Sequence, residues 1–141
     1  MSDRINDKIG EIERFSAELE DILPDSLEDY TNNSAIKAAC ERFFEKIVMA
    51  IIDLSFLIVK DKGFKIPEEE NEVFDVLASE KIISEKLKEK LKSAKGMRNV
   101  LAHEYGEVND ELVFESLKNE ILKDNDELIK SVKILLKKRM K

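Results

Sequence analysis

Glycine, proline and tryptophan are scarce in this sequence: four, two and none in 141 residues. Sandwiches, barrels and glycine-rich nucleotide loops need such residues at their corners, so those architectures are excluded. A single cysteine, Cys40, leaves no intramolecular disulfide to form. A single histidine, His103, rules out a Cys/His metal site assembled within one chain. Long apolar runs are missing too. The most apolar stretch, Phe43 to Val59, is interrupted by Glu45, Lys46 and Asp53 and falls short of a membrane span. The N-terminus, MSDRINDKIGEIE, is polar and carries no secretory h-region. A soluble, cytoplasmic protein without a membrane partner is expected.

What remains is 43% hydrophobic, enough for one core, and 39% charged, where about a quarter is usual. That combination fits amphipathic helices with solvated outer faces. The length suits one domain of about 100–150 residues, so a single helical domain over residues 1–141 is expected. The net charge of −7 conceals segregation. Residues 1–35 hold ten acidic and three basic side chains, residues 81–98 two acidic and seven basic, and residues 130–141 six basic and none acidic. Local patches decide polyanion binding, so the acidic total does not exclude nucleic acid.

The periodicity is helical throughout. Ile5, Ile9, Ile12, Phe15, Leu19 and Ile22 form one apolar stripe that stops at Pro24. Asp25 and Ser26 cap a short turn through Tyr30, and Asn32, Asn33 and Ser34 cap a long helix to about Lys62, ended by Gly63. Apolar residues fill half of that long helix's circumference, with Arg42, Lys46, Asp53 and Lys60 on a thin polar stripe opposite. Further helices are predicted over Glu68–Ser79, from Ser84 to about Gly106, and from Asn109 or Asp110 to the C-terminal region. No strands or repeats emerge. The fold class is all-α, an up-and-down bundle of four or five helices.

The helix after Ser84 interrupts its own pattern. Leu87, Leu91, Ala94, Arg98, Leu101 and Tyr105 share one stripe, so Arg98 stands where the period calls for an apolar residue. A guanidinium cannot be neutralised and is rarely buried alone. Either the stripe meets a cleft or subunit interface there, or a carboxylate waits opposite. About 100° round the same helix run Lys88, Lys92, Lys95, Asn99 and His103, a line of hydrogen-bond donors ending in the histidine.

Arg98-Asn99-Val100-Leu101-Ala102-His103, followed by Glu104-Tyr105, resembles the Arg-x4-His-x-Tyr signature of the HEPN superfamily. More narrowly, it resembles the minimal HEPN ribonuclease toxins paired with a nucleotidyltransferase-type antitoxin. The Lys-rich helix before the motif, the long segment after it, and Glu41-Arg42 with Ile51-Ile52-Asp53-Leu54 upstream extend the likeness over nearly the whole chain. The resemblance implies a HEPN-like, homodimeric endoribonuclease that needs no metal or cofactor. Arg98, Asn99 and His103 are its expected catalytic residues, and Lys88, Lys92 and Lys95 its expected RNA contacts. Tyr105 is the expected site of AMP transfer by the antitoxin. The alternative is a non-catalytic HEPN module that binds a nucleotide or a nucleotidyltransferase partner.

The chemistry fits these residue types. Attack by the ribose 2′-hydroxyl needs a base, positive charge on the phosphorane and a proton for the leaving 5′-oxygen. Imidazole, with a pKa of about 6.5, suits both proton transfers. One histidine per chain then calls for two chains. With no histidine or cysteine pair to hold a metal, cleavage is expected to survive EDTA and leave a 2′,3′-cyclic phosphate. Loss of activity on chelation, with recovery on adding a divalent ion, would contradict this chemistry.

Overall fold

The computed structural model describes residues 2–103 and 108–139, with the side chains of Ser2, His103 and Arg139 outside the description. Its elements are α1 (Ser2–Ile22), α2 (Leu27–Asn32), α3 (Ser34–Asp61), α4 (Glu70–Ser79), α5 (Glu85–His103), α6 (Asp110–Asn119) and α7 (Ile121–Arg139). There is no strand among the described residues.

Local chemistry sets the boundaries. Ser26 Oγ accepts from the Asp29 amide at 3.1 Å to start α2, and Asn33 Oδ1 accepts from Ile36 at 3.0 Å to start α3. Ser84 Oγ accepts from Leu87 at 3.0 Å at the head of α5, and Asn109 Oδ1 from Leu112 at 3.2 Å at the head of α6. Each side chain satisfies one amide that the helix itself cannot. The C-terminus of α3 is a Schellman turn. Gly63, at φ +74°, donates to Lys60 O at 3.2 Å, and Phe64 donates to Val59 O at 3.0 Å. The same turn ends α4, but there the left-handed position belongs to Lys81, at φ +60°. Lys81 donates to Ala78 O and Ile82 to Leu77 O, reversing the chain toward α5.

The four long helices close a ring in chain order: α1 on α3, α3 on α5, α5 on α7, and α7 back on α1. The fold is the all-α bundle the sequence predicts, with α4 added across α3 and α5, and α2 packed on α3 and α6. Helix α3 supplies the centre, burying Phe44, Ile47, Ile51, Leu54 and Ile58 completely or nearly so. Ile5, Ile9, Ile12 and Leu19 of α1 meet it, and Leu87, Leu91 and Leu101 of α5 complete the wall. The polar stripe of α3 is not simply solvated. Lys8 of α1 reaches Asp53 at 3.5 Å, and the Lys46 ammonium lies over the rings of Phe15 and Phe43.

Polar links also join the ring. Asn125 of α7 donates to Ser16 of α1 at 3.0 Å, and Lys90 of α5 lies 3.6 Å from the buried Asp124 of α7. Burial raises the Asp124 carboxyl pKa above its ordinary value, and Lys90 opposes that shift. Among the described residues, no helix is long and apolar enough to cross a membrane.

The final segment departs from expectation. The apolar pattern predicts one helix after Asn109, yet there are two, broken at Glu120 (φ −122°, ψ −62°). The Glu120 amide donates to Ser116 O at the end of α6, and its carbonyl accepts from Asp124 at the start of α7, so both groups of the break residue are satisfied. The cause is tertiary. Helix α6 packs on α2, whereas α7 packs on α5 and α1. Val113, Leu117, Ile121, Leu128 and Val132 keep one period through the break, which is why the pattern does not register it.

Tyr30 anchors α2 with its ring 5.2 Å from that of Phe114. Its hydroxyl is buried and has no hydrogen-bond partner among the described residues. Burial, reinforced by the nearby Glu41 charge, pushes the phenol well above its ordinary pKa. Removing an unsatisfied buried hydroxyl relieves a desolvation cost, so Tyr30→Phe is expected to stabilise the protein by about 1 kcal/mol in urea melts. A variant less stable than the parent would mean that the hydroxyl is bonded in solution.

Candidate functional site

Helix α5 carries the candidate site, and the neighbours of its cations define the local electrostatics. Leu87, Leu91, Ala94 and Leu101 are all buried, so the apolar stripe faces the core as its spacing requires. Arg98, in the same stripe, is pulled to the α4 side of the helix. Its Nη2 donates to Glu70 Oε1 at 3.1 Å. Glu70 is the first residue of α4, and its side chain is 52% exposed against 16% for Arg98. The carboxylate anticipated opposite the guanidinium is therefore present. It satisfies the arginine incompletely, because Arg98 Nε is buried without an acceptor among the described residues.

The lysine line meets the same helix. Lys92 Nζ lies 2.6 Å from Asp75 Oδ1 of α4. Lys88 Nζ is held at 2.6 Å by Glu85 and at 3.5 Å by Glu89, both on its own helix, with Asp75 at 3.9 Å. Its hydrogen bond to Glu85 leads the effects that raise its ammonium pKa above the ordinary value. Lys95 has no ion pair among the described residues, and Asn99 is partly buried. Because Asp75 meets Lys88 and Lys92 while Glu70 meets Arg98, α4 runs antiparallel to α5.

His103 is the last residue of α5, five positions after Arg98 and so about 7.5 Å further along the axis. Its side chain, and all of Tyr105, lie outside the described residues. On the adjoining side of α5, Met97, Val100, Val108 and Leu112 border a groove of about 460 Å³. Val100 is 40% exposed there and Leu112 60%.

The structure thus brings Lys88, Lys92 and Arg98 together along one helix, under carboxylates that the sequence pattern did not single out. In sequence, Glu70 and Asp75 lie in a segment that shows only a short helix, Glu68–Ser79. No spacing rule links them to residues 13 to 28 positions away. The excess positive charge of residues 81–98 is the one hint that a carboxylate-bearing neighbour would be drawn to them.

Residues 5–133 match the family described as "HepT-like: Ribonuclease HepT-like", and the chain belongs to that family. It is 27% identical to the mRNA nuclease HepT of Shewanella oneidensis over 136 residues, covering 94% of this chain and 98% of that protein. Its fold matches the tri-AMPylated Shewanella oneidensis HEPN toxin in complex with MNT antitoxin, with a TM-score of 0.89 and 25% identity. That match covers 95% of this chain and 99% of the other. The Bacillus subtilis cytosolic protein YutE has the same fold at 19% identity, with a TM-score of 0.81 over 98% of this chain and 92% of that one.

Proposed function

We infer that this chain is the toxin half of a toxin–antitoxin pair and cleaves RNA as a homodimer of single-domain subunits. The observation that carries the reading is the end-to-end likeness to a tri-AMPylated HEPN toxin bound to its MNT antitoxin. It is joined to an α5 that ends in Arg98-Asn99-Val100-Leu101-Ala102-His103.

The chemistry follows from these residues. Arg98 holds the scissile phosphate, exchanging its single bond to Glu70 for the two parallel bonds a phosphate accepts from a guanidinium. The unsatisfied Nε supports that exchange, since a second acceptor would relieve it. One subunit's His103 takes the proton of the 2′-hydroxyl, and the oxygen then attacks phosphorus. The other subunit's His103 protonates the departing 5′-oxygen, leaving a 2′,3′-cyclic phosphate and a free 5′-hydroxyl. Asn99, one turn before His103, orients the imidazole or the strand. Lys88, Lys92 and Lys95 hold flanking phosphates, which makes binding sensitive to salt. A nucleotidyltransferase antitoxin silences the enzyme by transferring AMP to Tyr105, adding bulk and negative charge where the RNA backbone would lie.

Substitutions separate these roles. His103→Ala is expected to abolish single-turnover cleavage, by at least about 100-fold, while RNA affinity stays within a few-fold of the parent. Arg98→Ala should also stop cleavage, with some loss of affinity. His103→Ala cleaving at the parental rate would remove imidazole from the mechanism. Incubation with a nucleotidyltransferase antitoxin and ATP is expected to add AMP to the parent and block its cleavage. Tyr105→Phe should cleave and escape that block. If it is silenced as fully as the parent, the tyrosine is not the target. Light scattering at micromolar concentration is expected to report a dimer. A stable, fully active monomer would exclude a site shared between two histidines.

A further inference from the structure

We propose that Glu70 and Asp75 are internal stand-ins for RNA phosphates, competing with the strand for the cations of α5 and so setting the affinity of the site. The proposal rests on the α5 reading given above and adds to it the residues that oppose binding.

Three observations carry it. First, α4 carboxylates pair directly with Arg98 and Lys92, and they reach Lys88 only as its most distant partner, after Glu85 and Glu89 of α5 itself. Arg98 bonds to Glu70 at 3.1 Å, Lys92 to Asp75 at 2.6 Å, and Lys88 lies 3.9 Å from the same Asp75. Lys95, between Lys92 and Arg98 in sequence, has no ion pair among the described residues and offers a first foothold for a phosphate. Second, the carboxylates are held on one rigid element. They are five residues apart on α4, about 7.5 Å along its axis, and the one helix sets Glu70 against Arg98 and Asp75 against Lys92. Third, both can be exchanged. Glu70 is 52% exposed and Asp75 45%, so each carboxylate can turn into water while its cation, 16% exposed for Arg98 and 25% for Lys92, keeps its place on α5. At Arg98 the exchange has an added gain, because Glu70 leaves the buried Nε without an acceptor among the described residues.

The consequence is a threshold. RNA must displace two intramolecular anions before it holds Lys92 and Arg98, and weakly held polyanions fail to do so. The freed carboxylates then recruit cations from solution. The salt dependence of the parent is therefore shallower than its count of phosphate contacts implies. A purely structural role, in which the pairs only fasten α4 to α5, makes the opposite forecast: their loss lowers stability and leaves RNA affinity alone.

The test uses the full chain and a fluorescent 2′-O-methyl oligoribonucleotide, which has no free 2′-hydroxyl and is not cleaved. Anisotropy titrations at several salt concentrations compare the parent with Glu70→Gln, Asp75→Asn and the double variant. Thermal melts of each accompany them. Each single variant is expected to bind about fivefold more tightly, the double variant more tightly still, and with a steeper salt slope. Asp75→Asn leaves the Arg98–Glu70 pair intact, so it reads the effect even if the double variant folds poorly. Affinities within twofold of the parent would overturn the proposal, and so would lower melting temperatures without tighter binding. Lys92→Ala and Arg98→Ala, titrated in parallel, keep the two levels apart. If they weaken binding while the carboxylate variants change nothing, α5 is the RNA surface and only the competition fails. If they bind RNA as the parent does, the α5 reading itself fails.

Discussion

A 28-residue helix with apolar side chains over half its circumference cannot be covered by one neighbour. That constraint on α3 organises everything else. Helix α1 covers one flank, α5 another, and α4 is drawn across the junction of α3 and α5 by Val73, Phe74 and Leu77. Helix α7 then joins α1 to α5 and closes the ring. Core burial therefore fixes α4 where it lies, and α4 brings Glu70 and Asp75 to the cations of α5. The electrostatics of the candidate site follow from the packing of the core.

The Arg98–Glu70 pair is where the fold bears most directly on the proposed function. A guanidinium in an apolar stripe needs a partner, and a partner that satisfies it fully would disable it as a phosphate ligand. Glu70 does neither completely: it accepts one hydrogen bond, stays half exposed, and leaves Nε without an acceptor among the described residues. Such a pair keeps the arginine oriented in the free protein while remaining exchangeable for a better anion. The segregation of charge along the chain acts in the same sense. On the proposed reading, the acidic residues 1–35 keep a polyanion away from α1 and the cations of α5 draw it to that helix.

Much of this was legible in the sequence, for identifiable reasons. The α1 stripe, the half-apolar α3, and the caps at Ser26, Asn33, Ser84 and Asn109 are local signals, and local physics decides them. Arg98 stood out because it broke a period, and a charge in a buried stripe implies a partner without naming it. The identity of that partner was not legible. Glu70 is 28 residues away, and its meeting with Arg98 depends on the Lys81 turn and on the register of α4 over α5. The kink at Glu120 was hidden for a related reason, since a change of packing partners leaves the apolar period intact. The lysine line was readable as a row of donors, but the carboxylates that occupy Lys88 and Lys92 come largely from tertiary structure and from the helix's own flank.

A cleft that uses His103 from both subunits makes a quantitative demand on mixed dimers. Parent and His103→Ala chains can be mixed in varying proportion, allowed to exchange subunits, and assayed for cleavage at constant total protein. If each cleft needs both imidazoles, activity should fall as the square of the parental fraction. A fall in direct proportion to that fraction would place a complete site within one chain and contradict the shared cleft.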